Sequence, residues 1–249
     1  MGITLEMMGT GSAFAKNYFN NNALLYVNDA TIMIDCGITA PAALHKMGKS
    51  FGEIDAVIVT HLHADHIGGL EEFAFQMKFL YERKPKIIVP EALLHPLWEN
   101  SLRAGLEQEG IQSLDCYFEV YPVKEREPFA VTEGLTIEYT QTEHIPGKLS
   151  YSLFIGEHTF YSADLQFDLA LLEYVHHERK CRTILHDCQL SLPGVVHAGI
   201  DQLLTLPTDI QRKIYLMHYG DNMPDFEGKT GEMRFIRQHK TIVIENVES

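Results

Sequence analysis

The side chains of this sequence that are best suited to chemistry lie together in residues 61–66. A mostly apolar run at residues 54–59 and Thr60 precede four side chains of metal-ligating type: His61, His63, Asp65 and His66. Imidazole nitrogens and carboxylate oxygens suit Zn²⁺ and its first-row neighbours. On a turning loop, we expect the two alternating histidines to converge on one ion, while the acid and the last histidine reach a second. A merely solvated loop is disfavoured, because a buried-strand pattern and a Gly-Gly helix entry flank the cluster.

Three single residues at the ends of later strand patterns complete a candidate two-metal centre. Such a centre needs about six or seven ligands and a bridging solvent oxygen. The later strand patterns end at His144, Asp164 and His218. Asp164 would bridge the ions, since a carboxylate offers two oxygens to ions roughly 3.5–4 Å apart. The remaining predicted ligands are His61, His63 and His144 for one ion, and Asp65, His66 and His218 for the other. From spacing alone, each later residue could equally be a hydrogen-bonded neighbour.

A two-metal centre predicts hydrolysis. A water shared by two divalent ions is acidified to a near-neutral pKa and becomes a hydroxide nucleophile. Tetrahedral phosphate suits the pair, because its oxygens can ligate both ions. We expect Asp65 to serve catalysis as well as metal binding. His197 is either a general acid above the leaving group or a helix-capping surface residue, and spacing does not separate these roles. Three other histidines are interpreted as lying outside the metal site: His176, His177 and His186.

Composition limits the classes of substrate. The formal net charge is −14 over 249 residues, and the basic clusters are short. A protein that grips long nucleic acid needs a cationic surface, so we expect no stable nucleic-acid complex. A small anionic substrate fits better, because bound metal restores positive potential locally. No apolar stretch reaches the roughly 20 residues of a membrane span. With four scattered cysteines and no secretory signal at the N-terminus, a cytoplasmic protein with reduced thiols is predicted.

The order of strand and helix patterns predicts an α/β fold. Apolar strand patterns alternate with helical stripes at residues 40–47, 70–84, 90–110 and 167–178. No linker or repeat interrupts the chain, so one domain over residues 1–249 with two sheets and outer helices is predicted. The polar and aromatic segment NYFNNN at residues 17–22 is interpreted as a surface loop, with a substrate-facing loop as the alternative.

The cluster at residues 61–66 has the pattern H-x-H-x-D-H, which resembles the metallo-β-lactamase superfamily. The resemblance covers nearly the whole chain, since GTGSA, DCG, THLHADHIGGL, EHIPGKLSYSLFI, YSAD and LMHYGD match in order. It implies an αββα sandwich of two mixed sheets with a dinuclear site along one edge. It also implies that His144, Asp164 and His218 are ligands. The di-iron oxidoreductase branch carries glutamate at the position of His63, so redox chemistry is disfavoured.

Within the superfamily, GTGSA and the segment around His197 are similar to the tRNA 3′-processing endonucleases and related phosphodiesterases. In that branch the matching histidine contacts the scissile phosphate and helps to protonate the leaving oxygen. Those endonucleases carry a long arm between the positions of His144 and Asp164. Here only residues 145–163 separate the two, enough for a hairpin. The short connection and the acidic charge therefore favour small phosphodiesters over tRNA.

The stretches FNNNALL, HADHIGGLEEFAF and HAGIDQLLTLP look most like the anti-Pycsar enzymes of phages and bacilli. This resemblance implies a homodimeric phosphodiesterase with two divalent ions, Zn²⁺ being expected and Mn²⁺ the alternative. The implied substrates are cyclic mononucleotides such as cyclic CMP and cyclic UMP, whose hydrolysis would evade host defence signalling. The alternative functions are a tRNA 3′-processing-type endoribonuclease, another small phosphodiester hydrolase, and a non-catalytic nucleotide-sequestering protein.

Overall fold

Two β-sheets form the centre of the computed structural model, which describes residues 2–246. The strands of the first sheet are, in spatial order, β14 (Thr241–Asn246), β1 (Gly2–Met7), β2 (Ala23–Val27), β3 (Ala30–Ile34), β4 (Ala56–Ile58), β5 (Lys86–Pro90) and β6 (Glu119–Val123). Those of the second sheet are β13 (Arg234–Phe235), β12 (Ile214–Met217), β11 (Thr183–Asp187), β10 (Thr159–Tyr161), β9 (Ser150–Ile155), β8 (Leu135–Thr142) and β7 (Phe129–Thr132). The strands predicted from hydrophobic patterns all occur, whereas β13 and β14 were not predicted.

Both sheets are mixed, and they are built alike. In the first sheet β3, β4, β5 and β6 pair in parallel, while β14, β1, β2 and β3 pair antiparallel. In the second sheet the parallel strands are β10 to β13 and the antiparallel strands are β7 to β10. One hydrophobic cluster draws buried side chains from both sheets, including Ile58 and Ile88 of the first and Leu153 and Leu185 of the second. The sheets therefore share a core.

Short helices cover the outer faces of the two sheets. The helices are α1 (Ala40–Lys46), α2 (Ala64–Ile67), α3 (Leu70–Phe75), α4 (Glu91–Leu97), α5 (Arg103–Leu106), α6 (Leu169–His177), α7 (Ile200–Leu203) and α8 (Thr208–Gln211). Buried residues of α1 to α5 pack with the first sheet, and those of α6 to α8 pack with the second. The predicted αββα sandwich of two mixed sheets is confirmed. No helix within residues 2–246 is long and apolar enough to cross a membrane.

The long helices predicted at residues 70–84 and 90–110 are broken into shorter pieces. The first continues from α3 into a π-helical turn, Gln76–Leu80, and stops there. The second passes through another π-helical turn, Trp98–Leu102, between α4 and α5, and α4 also contains Pro96. Proline removes a backbone donor and crowds the preceding turn, and a π-turn shifts the register of the helical stripe. Hydrophobic spacing alone does not show either effect.

Candidate metal centre

The strand ends that carry the predicted ligands meet at one edge of the sandwich. Strand β4 ends at Ile58, and a short loop then leads into α2, whose first turn contains Asp65 and His66. Isolated β-bridges join His61 to Ser150 of β9 and Gly11 to Tyr219 after β12, so the two sheets are tied together at this edge. Because the ends of parallel strands gather at a sheet edge, residues far apart in sequence become neighbours here.

Three residues at the ends of strands have a left-handed backbone conformation. Asp35 has a φ of 58°, Ala163 a φ of 48° and His218 a φ of 58°. This region is unfavourable for residues other than glycine, and such strain, about 1–3 kcal/mol each, clusters at functional sites. The turns occur at or just after β3, β10 and β12, next to the residues with candidate chemistry. The backbone is therefore held in costly conformations at the points where side chains enter the site.

Four side chains form what we call the three-histidine group: His61, His63, His144 and Asp164. The Nε2 atom of His61 lies 3.1 Å from Nδ1 of His63, and Nε2 of His144 lies 3.3 Å from the same atom. Asp164 Oδ2 lies 3.6 Å from His61 Nε2 and 3.7 Å from His144 Nε2. All four ligand atoms lie within 4.8 Å of one another.

A second set, the two-histidine group, shares Asp164 with the first: Asp65, His66, Asp164 and His218. Asp65 Oδ2 lies 3.4 Å from His66 Nε2 and 3.3 Å from His218 Nε2. Asp164 reaches the same histidines with both oxygens, Oδ1 at 3.3 Å from His66 Nε2 and Oδ2 at 3.4 Å from His218 Nε2. The structure thus brings together the two sets of side chains that the sequence analysis grouped, with Asp164 between them.

The donor atoms of these groups fit divalent metal ions. His66 Nε2 and Asp164 Oδ1 are buried, and although they lie 3.3 Å apart, neither makes a hydrogen bond of good geometry among residues 2–246. Buried polar atoms are nearly always paired, and a bound ion accounts for unpaired ones. Imidazole nitrogen and carboxylate oxygen form the ligand set of zinc and of the neighbouring first-row metals. The centre is therefore a divalent metal site.

Electrostatics differ between the two groups. Burial and the nearby His66 hold the pKa of His61 well below its usual range. Burial and the neighbouring imidazole of His144 lower the pKa of His63. Burial also lowers the pKa of His144. Neutral imidazole is the form that binds a metal, so these three histidines are already in the ligating state near neutral pH.

In the two-histidine group, carboxylates outweigh burial. Burial alone would lower the pKa of His218, but Asp164 and Asp187 raise it to about 10. Burial alone would also lower the pKa of His66, but Asp164 and Asp35 raise it well above its usual value. His218 and His66 in turn hold the pKa of Asp164 well below its usual range, despite its burial. A metal ion bound here would displace the imidazole protons, so metal affinity is expected to rise with pH.

Two buried aspartates that the sequence analysis left without a role orient the histidines. His66 Nδ1 donates to Asp35 Oδ2 at 2.7 Å, and the backbone and hydroxyl of Thr60 donate to the same carboxylate at 2.9 and 2.7 Å. His218 Nδ1 lies 3.3 Å from Asp187 Oδ1. Such contacts point Nε2 toward the metal and increase its basicity. Asp187 stands at the end of β11, so the strand-end pattern itself was the signal for it.

His197 lies beside the centre. Its ring centroid is 4.8 Å from those of both His144 and His218, and its Nδ1 donates to Asp187 Oδ2 at 2.7 Å. Burial lowers the pKa of His197, but Asp187 more than compensates and raises it overall. The capping alternative is wrong, because the residue that caps α7 is Gly199. His197 therefore lies at the site, and Asp187 fixes the orientation of its ring.

The three histidines interpreted as non-ligands lie outside both groups. His176 and His177 are on α6, and His176 lies 3.3 Å from Asp209 on the outer surface. His186 is fully buried on β11, where its Nδ1 donates to the backbone carbonyl of Asp187 at 2.7 Å. None of the three joins the metal-ligating groups found within residues 2–246.

A family model and curated relatives agree on where this chain belongs. The model described as anti-Pycsar protein Apyc1 matches residues 3–242. The chain belongs to this family. The anti-Pycsar protein Apyc1 of Paenibacillus sp. (strain J14) is 54% identical over 245 residues, which cover 98% of this chain and all of the relative. The anti-Pycsar protein Apyc1 of Bacillus phage vB_BsuM-Goe3 is 42% identical over 256 aligned positions, covering 96% of this chain and 98% of the relative.

Solved structures place this Apyc1 family member in the metallo-β-lactamase fold. The metallo-β-lactamase fold protein YhfI from Bacillus subtilis superposes with a TM-score of 0.76 at 17% identity, over 99% of this chain and all of that one. The short form of human tRNase Z gives a TM-score of 0.67 at 14% identity, over 97% of this chain and 99% of that one. At these identities the similarity shows the fold, which the paired sheets had already indicated.

The segment at residues 17–22 is a surface loop, as predicted, only at its start. Asn17 is exposed and Tyr18 and Phe19 are partly buried, whereas Asn20, Asn21 and Asn22 are buried. Asn22 Oδ1 accepts from the backbone of Gly37 at 2.9 Å, and its Nδ2 donates to the backbone carbonyl of Asp65 at 3.2 Å. A Cβ at position 37 would overlap the same carbonyl, so only glycine permits this approach. In this member of the family, Asn22 positions the loop that carries Asp65.

Proposed function

We propose that this protein is a metal-dependent phosphodiesterase that hydrolyses cyclic mononucleotides, including cyclic CMP and cyclic UMP, and so counteracts Pycsar antiviral signalling. The observation that carries the proposal is the position of Asp164, which belongs to both the three-histidine group and the two-histidine group, and also to a third set with Asp187, His197 and His218. Relatives named anti-Pycsar proteins, in bacteria and in Bacillus phages, support the biological role.

We propose seven metal ligands, divided between two ions. They are His61, His63, Asp65, His66, His144, Asp164 and His218. Zn²⁺ is the expected metal and Mn²⁺ the alternative, because the donors are nitrogen and oxygen. When bound, the ions would acidify a water molecule and polarise the phosphoryl oxygens. The protein would fix the ligand geometry in advance, since Asp35 and Asp187 hold His66 and His218 in place.

His197 would act as the general acid. Attack of water on phosphorus forms one P–O bond and breaks one ester P–O bond, and the departing alkoxide needs a proton. Because Nδ1 of His197 is engaged by Asp187, the proton available for transfer is the one on Nε2. Asp187 raises the pKa of His197, which favours the form that carries that proton. General acid catalysis of this kind contributes roughly 10²–10⁴-fold.

Precursor tRNA fits the site less well. The connection between His144 and Asp164 is filled by the antiparallel pair β9 and β10, with Gly156, Glu157 and His158 between the strands. No arm extends from this part of the described chain. The formal charge of −14 also opposes binding of a long polyanion.

Product analysis tests the proposal. The purified full-length protein, loaded with Zn²⁺ or Mn²⁺, is incubated with cyclic CMP, UMP, AMP and GMP, and the products are separated by chromatography. We expect linear nucleoside monophosphates, none after chelation, and none from Asp164→Ala or His66→Ala. If all four cyclic nucleotides stay intact, the phosphodiesterase assignment is wrong.

Two further outcomes would identify the alternatives. Stoichiometric binding of cyclic nucleotide, with unchanged ligand released on denaturation, would identify a sequestering protein. Cleavage of precursor tRNA at physiological salt would identify a processing nuclease. We also propose a homodimer, a single metallo-hydrolase domain and a cytoplasmic location, in keeping with the family resemblance. Sedimentation velocity of the purified protein tests the homodimer directly.

A further inference from the structure

A cavity of about 280 Å³ opens directly beside the metal centre. His197 and His218 line it, together with residues 12–14 of one loop and residues 189–191 and Val196 of another. Its volume is near the lower end of the roughly 300–1,000 Å³ that small-molecule sites occupy. It therefore suits a small ligand, one end of which would lie at the metal centre.

Large apolar side chains that the fold does not bury lie on the cavity wall and on one of the loops that contribute to it. Phe14, which lines the cavity, is 88% exposed, the highest exposure among the large hydrophobic side chains described. Leu192 and Val195 are 59% and 66% exposed, on the loop whose Leu190 and Val196 also line the cavity. Single exposed apolar residues are ordinary, but a group around one polar site marks a binding surface.

Two polar side chains that line the cavity are also free to bond a ligand. The hydroxyl of Ser12 and the side-chain amide of Asn222 line it, and neither makes a hydrogen bond within residues 2–246. An amide offers two donors and one acceptor oxygen, and a hydroxyl offers both roles. No carboxylate lines the cavity among the described residues, although the protein as a whole is strongly acidic. Apart from His197 and His218, the polar side chains of the lining are therefore uncharged hydroxyls and amides.

We propose that this cavity is the nucleoside subsite, with the base packed against the Phe14 ring and sugar or base polar atoms bonded to Ser12 and Asn222. The proposal rests on the proposed phosphodiesterase function, since it places the phosphate of the same substrate at the metal centre. An exposed aromatic ring beside a cavity is the surface that a base covers by stacking. The buried residues Asn20 to Asn22 are not available for this role, because their side chains are enclosed in the protein.

Kinetics of a Phe14→Ala variant test the subsite. Stacking of a base on an aromatic ring is worth about 1–3 kcal/mol, so KM for cyclic CMP and cyclic AMP should rise roughly 5- to 150-fold with little change in kcat. Phe14→Trp should restore KM. The same variant should leave KM unchanged for ribose 3′,5′-cyclic phosphate, which has no base. Phe79→Ala, at another exposed phenylalanine remote from the cavity lining, is the matched control and should behave like the parent protein.

Three results would overturn the subsite. They are an unchanged KM for the cyclic nucleotides, an equal rise for the base-free substrate, and the same effect from Phe79→Ala. If the parent protein hydrolyses neither kind of substrate, the proposed function fails and calorimetric titration with cyclic CMP decides the subsite separately. Weaker binding in Phe14→Ala than in Phe79→Ala would then support it, whereas equal or absent binding would overturn it.

Discussion

The two sheets contribute to the centre in different ways. From the first sheet, four of the proposed ligands follow one strand, β4, within residues 61–66. From the second sheet the ligands come singly, with His144 after β8, Asp164 after β10 and His218 after β12. The proposed ligands from the first sheet are therefore close together in the sequence, whereas those from the second sheet are far apart and are brought together by the order of the strands.

Each sheet also supplies its own buried aspartate, and the two aspartates have different partners. Asp35, next to β3, contacts one metal-site histidine, His66, and is otherwise held by Thr60. Asp187, at the end of β11, contacts both His218 and His197. The aspartate of the first sheet therefore supports only a metal-site histidine. That of the second supports a metal-site histidine and also holds His197, the proposed proton donor, so substitutions there are expected to separate binding from chemistry.

The largest effect is expected at Asp164, where the two contributions meet. Asp164→Ala removes a donor from both groups and should lower activity by more than the roughly 10–100-fold typical of losing a supporting residue. Elemental analysis of the purified variant should show that both ions are depleted. His144→Ala is the comparison, because His144 belongs only to the three-histidine group and should deplete one ion preferentially. Equal depletion by the two variants would contradict a shared carboxylate.

The next largest effect is expected at His197, on the side of the second sheet. A substitution there should impair the chemical step without impairing metal binding. His197→Ala should lower kcat for cyclic nucleotides by about 10²–10⁴-fold, because the leaving alkoxide loses its proton donor. The metal content should stay the same. With bis(p-nitrophenyl) phosphate, whose leaving group needs no proton, the loss should be much smaller. His177→Ala, on the surface of α6, should change kcat less than about twofold. A similar loss with both substrates would remove His197 from the acid role.

A third variant, Asp187→Asn, keeps the shape of the side chain and removes its charge. We expect an activity loss of about 10–100-fold, because both His197 and His218 lose their partner. Asp187 raises the pKa of His197, so its loss should lower that pKa. Because the protonated form is the active acid, the alkaline limb of the kcat profile should move to lower pH. An alkaline limb that stays in place would show that another group sets it.

The smallest effect on turnover is expected at Asn22, on the side of the first sheet. Asn22→Ala leaves the backbone groups of Gly37 and Asp65 unpaired and should lower the free energy of unfolding by about 1–3 kcal/mol. Metal affinity should fall about tenfold, because Asp65 is less well positioned. Calorimetric metal titration and thermal unfolding of the metal-free protein measure the two effects separately. An unchanged metal affinity with lower stability would make Asn22 purely structural.

Local patterns carried much of the prediction. Strand periodicity identified β4 and β12, and the density of residues 61–66 identified the metal loop without any knowledge of contacts. The helices after residue 70 and after residue 90 were predicted too long. Proline at position 96 and the π-helical turns act on backbone geometry, which hydrophobic spacing does not report. The burial of Asn20 to Asn22 was not predicted for a related reason. A run of polar residues usually indicates a surface loop, but polar side chains are also buried where enclosed backbone groups need hydrogen-bond partners.

The sequence by itself determined the candidate ligand types, their strand-end positions and the fold class, because these depend on neighbouring residues and on period. Only the tertiary structure decided which strand ends meet. It alone showed that Asp164 lies between two groups, that Asp187 joins His197 to His218, and that Phe14 borders a cavity at the centre. Ser12 and Asn222, 210 positions apart in the sequence, line the same cavity, and this arrangement follows from how the two sheets pack.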